Sequence, residues 1–205
     1  MPFHIEPLGL TSATVLSTAE FIKKVETGVS TWLLQGEVDT SDKLYLLRDR
    51  KEPQKDKAPA QITLRLRHYL ILVKTRAHRE ALTSIMLSTH MLAVEKLRWV
   101  EHGHPRVDRA ERLCRLCRNE VETPEHALLN CTASLELLAL RHDFFVELLI
   151  ALPHLHSAVE QMDSINLLKR LIAQRPTISL VAKFAYHVLK LFYDVPIYRP
   201  PRTLV

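Results

Sequence analysis

Glycine is scarce in this chain: there are four in 205 residues. A β-rich fold with many tight turns uses glycine wherever the backbone needs positive φ, so such a fold is not expected. Four glycines are also too few for a phosphate-cradling loop. No run of about eighteen uncharged apolar residues occurs, so no transmembrane helix and no membrane partner are expected. The opening MPFHIEPLGL lacks a basic region followed by an apolar stretch, so no secretory signal is expected. Catalytic signatures are sparse too. There is no Gly-x-Ser-x-Gly elbow, and the eight aspartates are scattered without one adjacent pair. These residues offer no catalytic constellation, and the expectation is a protein that is not an enzyme.

What is present is leucine and charge. Hydrophobic residues make up 47% and charged residues 25%, enough for a real core and against global disorder. Leucine dominance with few turn signals points to helix. The expected fold is mainly α, an irregular helical bundle with a small Cys3His zinc-binding loop–helix module. The net charge of +5 is uneven. Residues 1–50 carry five Lys/Arg against seven Asp/Glu, residues 51–131 fifteen against ten, and residues 132–205 eight against six. Positive charge gathers in the middle, which is compatible with nucleic-acid contact but modest in size.

The three cysteines, Cys114, Cys117 and Cys131, all fall within eighteen positions, with His126 between the last two. Scattered cysteines would serve as small core residues; a C-x2-C-x8-H-x4-C array points to a metal site. Three thiolates and one imidazole close a tetrahedral zinc shell, so the ion is expected to be structural Zn2+, supplying folding energy to a loop without its own core. An odd number of cysteines cannot all pair as disulfides. Metal-bound thiols fit a reducing, intracellular compartment better. His102, His104 and His142 are near enough in sequence to be spare ligands, or else ordinary histidines that lie on the surface or hydrogen-bond to a ligand. Thr123-Pro124-Glu125-His126 reads as a helix start, with Thr as N-cap, Pro at the first helical position and an acid at the positive dipole end. His126 then lies in a rigid first turn and Cys131 at or just past its end.

Along the chain, Ser17–Glu20 fits a capping box and opens a helix over about 17–34. Ser41 is placed to cap a short helix through Arg50. Residues 51–60, KEPQKDKAPA, are charged and proline-punctuated and read as an exposed linker. Residues 61–102 are helical in pattern but too long for one helix, so a break is expected near 83–89. Leu64, Leu70, Leu82, Ile85, Met86, Thr89, Ala93 and Leu97 form its apolar stripe. Its first half carries a basic face of Arg65, Arg67, Lys74, Arg76 and Arg79, either solvated or in contact with phosphate. Beyond the array come an apolar-rich helix over 134–151, another after Asp163 through Gln174, and a last one over 178–193. Domain organisation is expected as an N-terminal helical segment (1–50), a linker (51–60), a helical domain (61–195) holding the zinc module at about 112–132, and an extended tail (196–205).

Arg106, Arg109, Arg112, Arg115 and Arg118 recur every third residue through the approach to the cysteines and between them. At a Cys-x2-Cys turn such side chains are expected to face solvent, where a guanidinium can match phosphate bidentately. The equal alternative pairs them with Glu111, Glu120, Glu122 and Glu125.

The stretch from Ala81 to Trp99, followed by Arg112–Cys117 and the ETPEHALLNC of residues 122–131, resembles a zinc-binding region found after the polymerase domain in reverse transcriptases of non-LTR (LINE-type) retrotransposons, especially fungal copies. Those carry a C-x2-C, then a T-x-E-H-x-L-L-x-C element, then helices. The resemblance covers about residues 80–150 and implies Cys114, Cys117, His126 and Cys131 as ligands. The polymerase's Asp-Asp motif has no counterpart here, and neither an endonuclease nor a ribonuclease H site is recognisable. The implied protein is a non-catalytic remnant or separately encoded tail that binds RNA or DNA through the flanking arginines. The alternatives are a helical protein-interaction module with a purely structural zinc, and a non-functional gene fragment.

Overall fold

The computed structural model describes residues 17–49, 52–54, 57–60, 67–100 and 105–201. The chain divides into two compact units, Met1–Leu66 and Arg67–Val205.

In the first unit, α1 (Thr18–Trp32) starts on the expected capping box. The Ser17 side chain accepts from the Glu20 amide, and Glu20 Oε2 accepts from Ser17 N at 2.9 Å, satisfying two orphan donors at once. α1 buries none of its residues, and Phe21, Ile22 and Trp32 stay exposed. A wide π-turn (Leu33–Val38) follows, then a 3-10 turn (Asp42–Leu47) capped by Ser41 as the sequence suggested. Leu46 is fully buried, and Arg48 ties the loop by donating to Val38 O and Ser41 O. The expected linker contains a two-stranded antiparallel hairpin instead. β1 (Glu52–Gln54) pairs with β2 (Lys57–Ala60), Glu52 opposite Ala60 and Gln54 opposite Lys57. Its sequence shows no apolar alternation and holds two prolines, but each strand of a two-stranded ladder is an edge and can tolerate a missing N–H. Leu64 and Arg65 lie outside the described residues.

The second unit is helical. α2 (His68–Leu72), α3 (Arg76–Met86) and the single turn α4 (Ala93–Lys96) replace the long helical pattern. The chain breaks near 87–92 as expected, with Ser88 at φ 51°, and again at 73–75, which apolar spacing alone did not reveal. Leu82, Ile85, Met86, Ala93 and Leu97 are buried, whereas Thr89 is exposed. After the metal-ligand module come α5 (Leu135–Ala151), α6 (His156–Gln161), α7 (Ser164–Ala173) and α8 (Ile178–Tyr193). Ser134 and Asp163 cap α5 and α7 through their side chains.

α8 is the hub: α2, α3, α5 and α7 all pack on it. Its buried face, Val181, Phe184, Ala185, Val188, Leu189 and Phe192, is the one the 3.6-residue period selects. Phe184 stacks on Phe144 of α5 with ring centroids 4.3 Å apart and planes 9° apart. Such a pair adds about 1 kcal/mol beyond area burial. α5 has apolar residues on every side, interspersed with Glu136, His142, Asp143 and Glu147, so its period selects no single face. It buries Leu137, Arg141, Phe144 and Leu148 and leaves Leu135 86% exposed.

His90, in the break between α3 and α4, is buried. Its Nε2 has no hydrogen-bond partner, and its Nδ1 accepts from Leu92 N at 3.4 Å. Burial lowers its pKa to about 4 from the ordinary 6.5. A folded-state pKa below the unfolded one means that the unfolded chain binds the proton first. Stability is therefore intact above about pH 6.5 and falls as pH drops toward 4, by about 3 kcal/mol in all. His90→Met should flatten the pH dependence of unfolding free energy in that window, measured by denaturant titration. An unchanged slope would show that His90 does not titrate this way.

Candidate metal centre

The module is built from two pieces. The first is a narrow loop whose arms pair through a Leu113–Val121 bridge and a Cys114 N to Glu120 O hydrogen bond of 2.7 Å. Arg118 closes the turn at φ 57°, its N–H donating to Cys114 O at 2.8 Å. The second is the TPEH start. Thr123 Oγ1 accepts from His126 N at 3.2 Å and Thr123 O from Ala127 N, as the N-cap reading requires. The helix then widens into a π-turn over His126–Asn130, closed by Cys131 N donating to His126 O. The wide turn brings Cys131 just past its end back under His126.

The ligand atoms of Cys114, Cys117, His126 and Cys131 all lie within 4.8 Å of one another, and three of the four residues are buried. Cys114 Sγ is 3.8 Å from Cys131 Sγ, and Cys117 Sγ is 3.4 Å from His126 Nε2. A tetrahedron with metal–sulfur bonds of about 2.3 Å has sulfur–sulfur edges of about 3.8 Å, so the cluster has the size to hold a metal ion. His126 Nδ1 donates to Glu120 Oε2 at 2.7 Å, which fixes the tautomer and turns the Nε2 lone pair toward the sulfurs. His142 is exposed on α5 and outside the cluster, whereas His102 and His104 lie outside the described residues.

Burial pushes the Cys114 and Cys131 thiols up. At Cys117 burial acts the same way. The amides of Asn119 and Glu120 and the thiols of Cys114 and Cys131 outweigh it, so that pKa is lowered. Burial disfavours bare thiolates at Cys114 and Cys131, and a cation bound at the cluster would offset that penalty.

The five arginines divide. Arg106, Arg109 and Arg118 are exposed, with Arg118 lying 5.0 Å over the Tyr198 ring. Arg112 and Arg115, expected to face solvent, are buried. Arg112 donates to Val107 O at 2.9 Å and Val94 O at 2.7 Å. Arg115 donates to both oxygens of Glu122, to Met91 O, and to Phe192 O and Val195 O at the end of α8. Carbonyls at helix ends and in the loop lack intrahelical donors, and these guanidiniums supply them. Burial is the first cause of a lowered Arg112 pKa, followed by the charges of Arg106 and Arg109.

Arg141 was not singled out from the sequence. It is buried within α5 and donates to Leu128 O and Cys131 O, both at 2.8 Å, holding the end of the π-turn and placing a positive charge beside the thiols. Its signal was a lone arginine on the apolar helix that follows the third cysteine.

Cys114→Ser should abolish tight metal binding, and Glu120→Gln should weaken it by roughly 10-fold by loosening the His126 ring. Both are readable by competition with a chromogenic chelator; wild-type affinity in Glu120→Gln would remove that carboxylate from the centre. Arg115→Met should cost about 3–5 kcal/mol because it strands the Glu122 carboxylate in the interior. Combining it with Glu122→Gln should cost less than the sum of the two, and strict additivity in a double-mutant cycle would contradict the pairing.

Comparisons of the chain with protein-family models, curated proteins and solved structures return no match.

Proposed function

We propose that the protein is a non-catalytic, intracellular zinc-binding module that binds RNA or DNA through exposed arginines next to its metal centre. Zinc is the ion that best suits three thiolates and one imidazole with every ligand position filled from within the chain. Such a shell leaves no place for substrate, so its role is structural. The resemblance of residues 80–150 to the zinc region of LINE-type reverse transcriptases supports the same reading and an origin in such an element.

The observation that carries the nucleic-acid reading is that Arg106 and Arg109 stay exposed while the metal-bearing unit fixes the loop they sit on. Arg112 and Arg115 contribute by holding that loop. A protein-interaction role is the second reading, and the exposed side of α5 favours it: Leu135, Leu138, Val146 and Ile150 line the face opposite Leu137, Phe144 and Leu148.

With zinc loaded, binding to RNA or DNA should weaken steeply with salt because phosphate contacts release counterions. Arg106→Ser with Arg109→Ser should reduce both the affinity and the salt slope, each arginine removing roughly one phosphate contact, while leaving metal content unchanged. Fluorescence anisotropy across a salt series measures both. No binding at low salt would end this reading and leave the α5 face as the candidate interaction surface.

A further inference from the structure

Of the four residues in the candidate centre, Cys117 alone is not buried; Cys114, His126 and Cys131 are. Cys117 sits on the outer turn of the cysteine loop, beside the exposed Arg118 and Asn119. A small solute therefore reaches this sulfur before either of the other two. Its partners stand close behind it. All four ligand atoms lie within 4.8 Å of one another. Cys114 belongs to the same turn, where its carbonyl accepts from Arg118 N at 2.8 Å. Two cysteines at C-x2-C spacing on one tight turn have the arrangement of dithiols that open and close as disulfides. These are also the chain's only cysteines together with Cys131, so no thiol elsewhere competes. A metal ion bound here keeps the sulfurs deprotonated, and the thiolate is the nucleophile. The form that suits the metal is thus also the form that an oxidant attacks.

We propose that Cys117 is an oxidation site for hydrogen peroxide, and that its disulfide with Cys114 opens the metal centre. The Cys117 thiolate attacks one peroxide oxygen. The O–O bond breaks, the sulfur becomes a sulfenic acid, and the other oxygen leaves as hydroxide. The Cys114 thiolate then attacks that sulfur; the S–O bond breaks, a second hydroxide leaves and the disulfide forms. Two electrons pass from the two sulfurs to one peroxide. Cys131 and His126 remain, two ligands where a structural zinc shell takes four. The change reaches the helical unit, because Arg115 lies between the two oxidised residues and donates to Phe192 O and Val195 O at the end of α8. A dithiol reductant reverses the step by exchange. The proposal rests on the Cys3His zinc reading above and adds to it the reagent that regulates the centre.

The test uses the full, zinc-loaded chain, its metal counted with a chromogenic chelator before any oxidant is added. A chain that takes up no zinc overturns the Cys3His reading and this proposal together. With zinc present, hydrogen peroxide should release it in step with disulfide formation. Peptide mass mapping should find Cys114 joined to Cys117 and Cys131 left as a thiol. Dithiothreitol followed by fresh zinc should restore the metal. Cys117→His keeps a Cys2His2 ligand set and should release zinc roughly 10-fold more slowly under the same peroxide. If that variant does not hold zinc, the map of the unmodified chain decides alone. Zinc retained in a large excess of peroxide, zinc lost while Cys117 stays reduced, or a disulfide that joins two chains overturns the proposal. Each of those results leaves the metal centre itself standing.

Discussion

The Arg115–Glu122 pair sits where the helical unit is tied together. Both side chains are almost wholly removed from water, at 3% and 0% exposure, and the closest approach is 2.7 Å. Burying two charges costs several kcal/mol each, and mutual attraction offsets this only when every remaining donor and acceptor is satisfied. Here they are. Arg115 reaches Met91 O, Phe192 O and Val195 O as well as the carboxylate, and Glu122 also accepts from the amides of Ala93 and Arg115. Three parts of the chain, the approach to α4, the cysteine loop and the end of α8, thereby share one set of hydrogen bonds. Such a network specifies register more than it adds stability, because any shift of one segment strands a buried charge.

The Cys3His cluster and this pair share the same loop. Arg115 lies between Cys114 and Cys117, so the turn that presents two thiols also aims the guanidinium inward. On the far side, Arg141 of α5 holds the carbonyls of Leu128 and Cys131. The cysteine loop is thus fastened to α8 through Arg115 and to α5 through Arg141, and α5 and α8 are packed together by Phe144 and Phe184. Taking the thiols apart would loosen the loop and with it the carbonyl contacts at both helices. A structural zinc in this position would stabilise the helical unit well beyond the four ligands.

Much of this was legible in the sequence, for identifiable reasons. The ligand set could be read because three cysteines and one histidine at metal spacing have few other uses, and the TPEH start because proline and threonine have fixed positional meaning. The last helix was read to its ends because its apolar residues keep a clean 3.6-residue period between Thr177 and the tail. The fate of the arginines was legible only in part: pairing with Glu122 was one of the two readings left open, and Arg115 makes it. Arg106, Arg109, Arg112, Arg115 and Arg118 share one spacing, yet two are internal and three external, because burial depends on carbonyls brought from residues as distant as Phe192 and Val195. α5 hid its buried face for the opposite reason, having apolar residues on every side. The hairpin at 52–60 was missed because backbone pairing needs no apolar signal.

The most direct measurement is X-ray absorption at the zinc edge on protein purified with one equivalent of metal, compared with the same protein after exhaustive chelation. A shell of three sulfurs near 2.3 Å and one nitrogen near 2.0 Å is expected. Metal removal should also release α8 and the cysteine loop together in hydrogen exchange. A shell dominated by oxygen, fewer than three sulfurs, or exchange that is the same with and without metal would contradict a Cys3His centre that organises the helical unit.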